Sequence, residues 1–286
     1  MTGWAITLIL AAAFIHATWN LLAKRASGGA AFTWLFAGWS AILYTPLAAA
    51  IVLFQQAHIG LTEIGFMAGS AALHTAYFLL LNQGYRVGDL SLVYPLARGT
   101  GPLLSSLTAI LLLGERPSAL AISGGLLIVL GVVALTSGPA RLRMGGARSA
   151  VSYALLTGTF IAGYTLWDKQ AVSAFLISPL LLDWGANVGR ALLLTPVALS
   201  RWSEVRVEWN THRFEVLGVA ALAPLSYIFV LTALSFTPVS YVAPAREISI
   251  LIGAAMGTRL LGEGDAPRRL AGAGAMVLGV VALALG

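Results

Sequence analysis

The sequence contains no cysteine and few charged residues. Lys, Arg, Asp and Glu make up 10% of its 286 residues, whereas hydrophobic residues make up 58%; typical soluble domains carry about 25% charged residues. The absence of cysteine excludes disulfides, thiolate metal sites and cysteine nucleophiles. The scarcity of charge predicts that lipid, rather than water, surrounds most of the chain.

Sequence motifs of catalysis are also missing. There is no HExxH motif, no nucleophile elbow, no P-loop and no cluster of acidic residues for a metal, so we predict neither an enzyme nor a bound cofactor. The net charge of +6 could suggest nucleic acid. However, the Lys and Arg residues lie in short connections between apolar blocks, which predicts membrane topology and no nucleic-acid partner.

Long apolar blocks dominate the chain. Several are close to the ~20 residues that a helix needs to cross a bilayer, and Gly, Pro or charged residues separate them. The pattern predicts an all-α membrane protein with ten transmembrane helices. The predicted spans cover residues 3–23, 31–54, 64–83, 90–113, 119–137, 150–167, 179–199, 215–235, 238–261 and 268–285.

The two halves of the sequence resemble each other. Residues 112–115 (LLGE) recur 148 positions later at 260–263, and residues 130–135 (LGVVAL) recur at the same offset at 278–283. We therefore predict a first repeat at 1–137, a linker at 138–149 and a second repeat at 150–286. The other matched positions are Trp34 with Trp184, Thr45-Pro46 with Thr195-Pro196, Tyr77 with Tyr227, Pro95 with Pro244, and Ala97-Arg98 with Ala245-Arg246.

Five spans per half predict opposite orientations for the two halves. An odd number of crossings makes the second repeat enter the membrane from the other side, which gives two inverted five-helix repeats. Loops on one side hold twelve Lys and Arg residues, and those on the N-terminal side hold only Arg116 and Lys169. The positive-inside rule therefore predicts that both termini are periplasmic, in a bacterial inner membrane.

Two Gly-Glu turns carry a family resemblance. Glu115 and Glu263 each follow a glycine, and each turn precedes a Gly-x6-Gly helix with glycines at 124 and 131 or at 272 and 279. We expect each carboxylate to accept hydrogen bonds at the start of the next helix, and each glycine pair to let helices pack closely.

These motifs resemble the EamA-type branch of the drug/metabolite transporter superfamily, including its aromatic amino acid exporters. The resemblance covers nearly the whole chain and implies ten helices around a central cavity, alternating access, and export of amino acids or related metabolites. It also implies cytoplasmic termini in many members, whereas the loop charges of this chain predict the reverse.

Two arginines lie inside apolar spans at matched positions. An ionised side chain there costs at least ~2.5 kcal/mol and needs a partner or water. Arg98 and Arg246 therefore either bind a substrate or anchor helices, through a carboxylate or through carbonyls that nearby prolines free. Glu247 follows Arg246 but would point about 100° away on a regular helix. The sequence leaves both roles open.

Helical spacing groups polar and aromatic residues near these arginines. Tyr94 shares a helix face with Arg98, and His74 shares one with Tyr77. In the first span, His16, Trp19 and Asn20 cluster on one side. Aromatic walls beside a cation suit a zwitterion or an organic anion with an apolar side chain, although such aromatics also form interfacial belts. The predicted substrate-binding residues are Arg98, Arg246, His74, Tyr77, Tyr94, Trp19, Tyr227 and Asn20.

Asp183, Asn187 and Arg190 share one face of the seventh span. Either Asp183 and Arg190 form a structural pair inside the bundle, or Asp183 carries a proton; His16 is the other candidate for proton coupling.

The predicted function is a secondary transporter that exports amino acids or similar small metabolites. The partners are a small-molecule substrate and the lipid bilayer, and the sequence leaves the oligomeric state open. The alternative is a transporter or flippase of nucleotide-sugar, sugar-phosphate or lipid-linked substrates.

Overall fold

The described part of the protein consists of helices. The computed structural model describes residues 1–26, 29–87, 90–136, 147–252 and 266–286. The helices are α1 (Gly3–Arg25), α2 (Ala30–Phe54), α3 (Leu61–Val87), α4 (Leu90–Leu112), α5 (Ala119–Thr136), α6 (Ala147–Ser173), α7 (Pro179–Ser200), α8 (Trp202–Phe236), α9 (Val239–Ala245) and α10 (Ala266–Leu285). Of these, α1, α2, α3 and α8 are long and apolar enough to span a membrane.

Local sequence signals set several helix ends. The Thr2 hydroxyl accepts a hydrogen bond from the Ala5 amide and caps the start of α1. Pro179 occupies the first turn of α7, where no amide donor is needed. Gly114 ends the α4 region with a φ of +68°, a conformation that glycine adopts without steric cost.

Three predicted spans differ from the observed helices. The ninth span, predicted as one helix over 238–261, is interrupted, because α9 ends at Ala245 and residues 246–247 form a turn before helical residues 248–252. Helix α6 continues to Ser173, past the predicted end at residue 167. The hydrophilic connection before the eighth span is helical and joins α8 across a kink at His212, where φ is −124°.

Helices α5 and α10 pack against each other through their glycines, as predicted. A Cβ atom on Gly124 would lie 2.6 Å from the carbonyl oxygen of Gly279, and one on Gly131 would lie 2.7 Å from that of Gly272. Each contact therefore joins the first glycine of one helix to the second glycine of the other. Only glycine allows the two backbones to approach this closely.

A second reciprocal contact joins α2 and α7. The indole nitrogen of Trp34 donates to the Thr195 hydroxyl at 3.0 Å, and that of Trp184 donates to the Thr45 hydroxyl at 3.1 Å. Other helices pack in the same reciprocal way. The third helix of the first half, α3, packs on α6 and α7, and the third helix of the second half, α8, packs on α1 and α2. The two chain ends meet as well, since the Met1 amino group donates to the Ala284 carbonyl at 3.3 Å.

Candidate functional site

The interruption after α9 places a carboxylate between two arginines. Glu247 is 1% exposed; its Oε2 lies 3.0 Å from Arg98 Nε, and its Oε1 lies 3.6 Å from Arg246 Nε. The expectation that Glu247 points away from Arg246 is wrong, because the chain turns at these two residues and is not a regular helix there. Both arginines therefore depend on the same buried counter-charge.

Arg246 also reaches an aromatic residue of the second half. Its Nη2 donates to the Tyr164 hydroxyl at 2.7 Å, and its guanidinium carbon lies 5.7 Å from the centre of that ring. Its Nη1 atom is buried and has no hydrogen-bond partner among the described residues. Because a buried unpaired donor is costly, this atom is available for an anionic group of a ligand.

The rings of His74, Tyr77, Tyr164 and Tyr227 form an aromatic group that contacts Arg246 through Tyr164. The His74 ring stacks on Tyr164 with centroids 3.9 Å apart and planes at 22°. Tyr77 meets Tyr164 edge-on at 5.9 Å, and Tyr227 meets His74 edge-on at 5.2 Å. The structure thus brings four of the predicted site residues together, namely Arg246, His74, Tyr77 and Tyr227, around the unpredicted Tyr164.

A buried carboxylate closes the other end of the aromatic group. Asp168 is fully buried, accepts a hydrogen bond from the Tyr227 hydroxyl at 2.6 Å, and lies 3.2 Å from His74 Nε2. These contacts involve Oδ2, whereas Oδ1 has no hydrogen-bond partner among the described residues. The group therefore carries an unused cationic donor at one end and an unused anionic acceptor at the other.

The polar residues of α7 form a separate cluster. The Asn187 amide donates to Asp183 Oδ2 at 3.0 Å, and Arg190 Nη1 donates to Asn187 Oδ1 at 3.3 Å. Asn187 thus links the acid and the base, which balance each other in charge. Asp183 also lies within electrostatic reach of Asp168.

The remaining predicted residues lie elsewhere or outside the description. Trp19 packs with Phe32 and Val216 in a separate apolar cluster, and Asn20 is exposed and donates to the His16 carbonyl at 2.7 Å. His16 is in electrostatic reach of Arg98 and Arg246. The side chain of Tyr94, and all of Glu263, lie outside the described residues.

Three site residues escaped the sequence reasoning: Tyr164, Asp168 and Glu247. Asp168 falls one residue beyond the predicted end of the sixth span and was assigned to a loop. The sequence repeat does mark two of these residues. At the offset of 148 positions, Trp19-Asn20 aligns with Trp167-Asp168, and His16 aligns with Tyr164. Nothing comparable marks Glu247, whose aligned residue is Gly99.

Charged side chains also hold the turn between α8 and α9. Glu115 accepts hydrogen bonds from the amides of Val239 at 2.7 Å and Ser240 at 2.9 Å, so it caps α9. The prediction that Glu115 caps the next helix in the chain, α5, is therefore wrong. Lys169 donates to the carbonyls of Leu234 at 2.7 Å and Thr237 at 3.2 Å. Both side chains line a cleft of about 360 Å³. Their charges oppose the partial charges of the two helix ends, which stabilises the turn.

No grouping of side chains in the described ranges suits a metal. Three or more His, Asp or Glu residues do not converge anywhere in that part of the chain. The aromatic group itself offers hydrogen bonds and ring contacts.

Comparison with known proteins finds two similarities. Residues 3–137, slightly less than half of the chain, match the model of the EamA-like transporter family. A crystal structure described as "Crystal structure of protein" matches with a TM-score of 0.76 over 98% of each chain at 12% identity, which shows a shared fold. No curated protein sequence matches this chain. The first half of the chain is thus similar to a transporter family, and α1, α2, α3 and α8 are long and apolar enough to span a membrane.

Proposed function

We propose that this chain, whose residues 3–137 match the EamA-like transporter family, is a secondary transporter that exports amino acids or similar small metabolites across the bacterial inner membrane. Arg246 is the residue that binds the anionic end of the substrate. The observation that carries the proposal is its buried, unpaired Nη1 beside the aromatic group.

The reciprocal contacts support two inverted five-helix repeats. The first and second glycines exchange partners between α5 and α10, and matched tryptophans exchange matched threonines between α2 and α7. A pseudo-two-fold axis produces such exchanges, since a contact from i to j is accompanied by one from j to i. Two interchangeable halves allow alternating access by rocking of one half against the other.

The interrupted ninth span supports the position of the site. Transporters of inverted-repeat type bind substrates where helices are discontinuous, because broken helices expose backbone polar groups at membrane depth. Arg246 and Glu247 occupy such an interruption. The aromatic group beside them offers apolar surface to a substrate side chain.

The orientation follows from loop charge. The two termini lie next to each other, and the loops that the sequence predicts on the other side of the membrane hold twelve Lys and Arg residues against two. We therefore propose periplasmic termini. A reporter that is active only in the cytoplasm should be inactive when fused to the C-terminus; activity there would reverse the orientation.

Counterflow in proteoliposomes tests the function. Vesicles preloaded with unlabelled amino acids should accumulate the labelled compound, and Arg246→Gln should abolish or strongly slow accumulation. Arg206→Gln, an exposed site in α8, is the matched control and should behave like wild type. Failure across a broad amino-acid panel would overturn the cargo. Exchange of sugar phosphates or nucleotide sugars instead would establish the alternative function.

A further inference from the structure

Buried ionisable side chains lie at both ends of the aromatic group. At the interruption, Arg98 and Arg246 both pair with the Glu247 carboxylate. At the other end, Asp168 accepts a hydrogen bond from the Tyr227 hydroxyl and lies 3.2 Å from His74 Nε2. One end therefore presents guanidinium donors, and the other presents a carboxylate.

Each end has an unused hydrogen-bonding atom. Arg246 Nη1 and Asp168 Oδ1 are both buried, and neither has a hydrogen-bond partner among the described residues. The stacked pair of His74 and Tyr164 lies between them, since Tyr164 bonds the arginine and His74 bonds the aspartate. The site is therefore dipolar, with a donor end, an aromatic middle and an acceptor end.

From this arrangement we propose that Asp168 binds the ammonium group of the substrate while Arg246 binds its carboxylate, so the site takes net-neutral zwitterions with an apolar side chain. This inference rests on the proposed function. A zwitterion pairs both unused atoms and adds no net charge to the buried site. An organic anion or cation would satisfy one end and add an unpaired charge in a region of low dielectric.

Three compounds with the same apolar group isolate the two charges: L-phenylalanine, 3-phenylpropanoate and 2-phenylethylamine. Their apparent dissociation constants can be measured by ligand-dependent thermal unfolding of the full-length protein in detergent. Wild type should bind phenylalanine about 10-fold or more tightly than either singly charged compound, because each lost charge-assisted hydrogen bond leaves a buried group unpaired.

Two charge-removing variants should move this preference in opposite directions. Asp168→Asn removes the negative charge from the acceptor end, so phenylalanine should bind about 10-fold more weakly and phenylpropanoate should bind more tightly than phenylalanine. Arg246→Gln should favour phenylethylamine in the same way. A merely structural role for Asp168 would weaken all three compounds together.

Control variants separate recognition from folding. Glu204→Gln changes an exposed acid and should keep the wild-type order. The inference is overturned if wild type binds phenylpropanoate as tightly as phenylalanine, if it binds none of the three, or if Asp168→Asn leaves the order unchanged. Counterflow distinguishes the two claims. Amino-acid exchange without this order of affinities would contradict only the zwitterion site, whereas the absence of amino-acid exchange would contradict the transport function.

Discussion

Arg98 and Arg246 occupy matched positions in the two halves, yet their surroundings differ. Arg98 lies within the continuous helix α4, is 7% exposed and pairs with Glu247 at 3.0 Å. Arg246 lies at an interruption, contacts Tyr164 and has an unpaired nitrogen. The same residue type thus contacts a carboxylate in the first case, and a carboxylate and a tyrosine hydroxyl in the second.

The source of this difference is a neighbouring residue and not the matched prolines. Pro95 and Pro244 precede the two arginines at similar distances, but α4 runs unbroken from Leu90 to Leu112. The residue after Arg98 is Gly99, whereas the residue after Arg246 is Glu247. Glu247 lies in the turn and contacts both guanidinium groups.

Removing the shared carboxylate should have the largest effect. Glu247→Gln removes the carboxylate that pairs with both buried arginines, and breaking a buried ion pair from one side costs about 3–5 kcal/mol. We expect a strongly lowered midpoint of thermal unfolding in detergent. Glu204→Gln, on an exposed acid, is the control, and equal midpoints for the two variants would contradict the shared-carboxylate interpretation.

The anchoring arginine should come next. Arg98→Gln leaves Glu247 with Arg246 as its remaining cation, so the loss of stability should be about 1.5–3 kcal/mol, the range for a hydrogen bond to a charged group. Thermal unfolding measures the loss, and counterflow by the folded fraction should retain its apparent substrate constant. A large rise in that constant would make Arg98 a binding residue as well.

The opposite pattern is expected of Arg246. Arg246→Gln removes a guanidinium that already has one unpaired nitrogen, so stability should fall by only about 1 kcal/mol. The affinity for the amino-acid substrate should fall about 10-fold or more. Comparing both readouts with those of Arg98→Gln shows whether the matched arginines have separate roles; identical profiles would refute the comparison.

The cap of α9 should contribute least. Glu115→Gln removes a negative charge from the start of the helix that leads to Arg246, which costs about 0.3–1 kcal/mol. A small drop in the unfolding midpoint should result, and salt should reduce it. Arg116→Gln, an exposed neighbour, is the control, and a drop as large as that of Glu115→Gln would argue against the cap.

The sequence predicted the helices well where single-residue patterns decide them. Apolar length predicted the approximate place of most spans, and the Gly-x6-Gly spacing predicted that α5 and α10 pack closely against other helices. The sequence failed where a side chain from another element decides the outcome. The amide donor that Glu115 caps, for example, is that of Val239, 124 residues away in α9, and no local pattern identifies a contact at that separation.

By itself the sequence indicated a membrane bundle of helices and the residues that stand out as polar within it, because hydropathy is a local property of the chain. The tertiary structure alone decided that Arg246 bonds Tyr164, and that Asp168 lies at the other end of the stacked His74 and Tyr164 rings. These roles depend on where Glu247 and Tyr227 place their side chains. That placement is fixed by packing between helices distant in the chain.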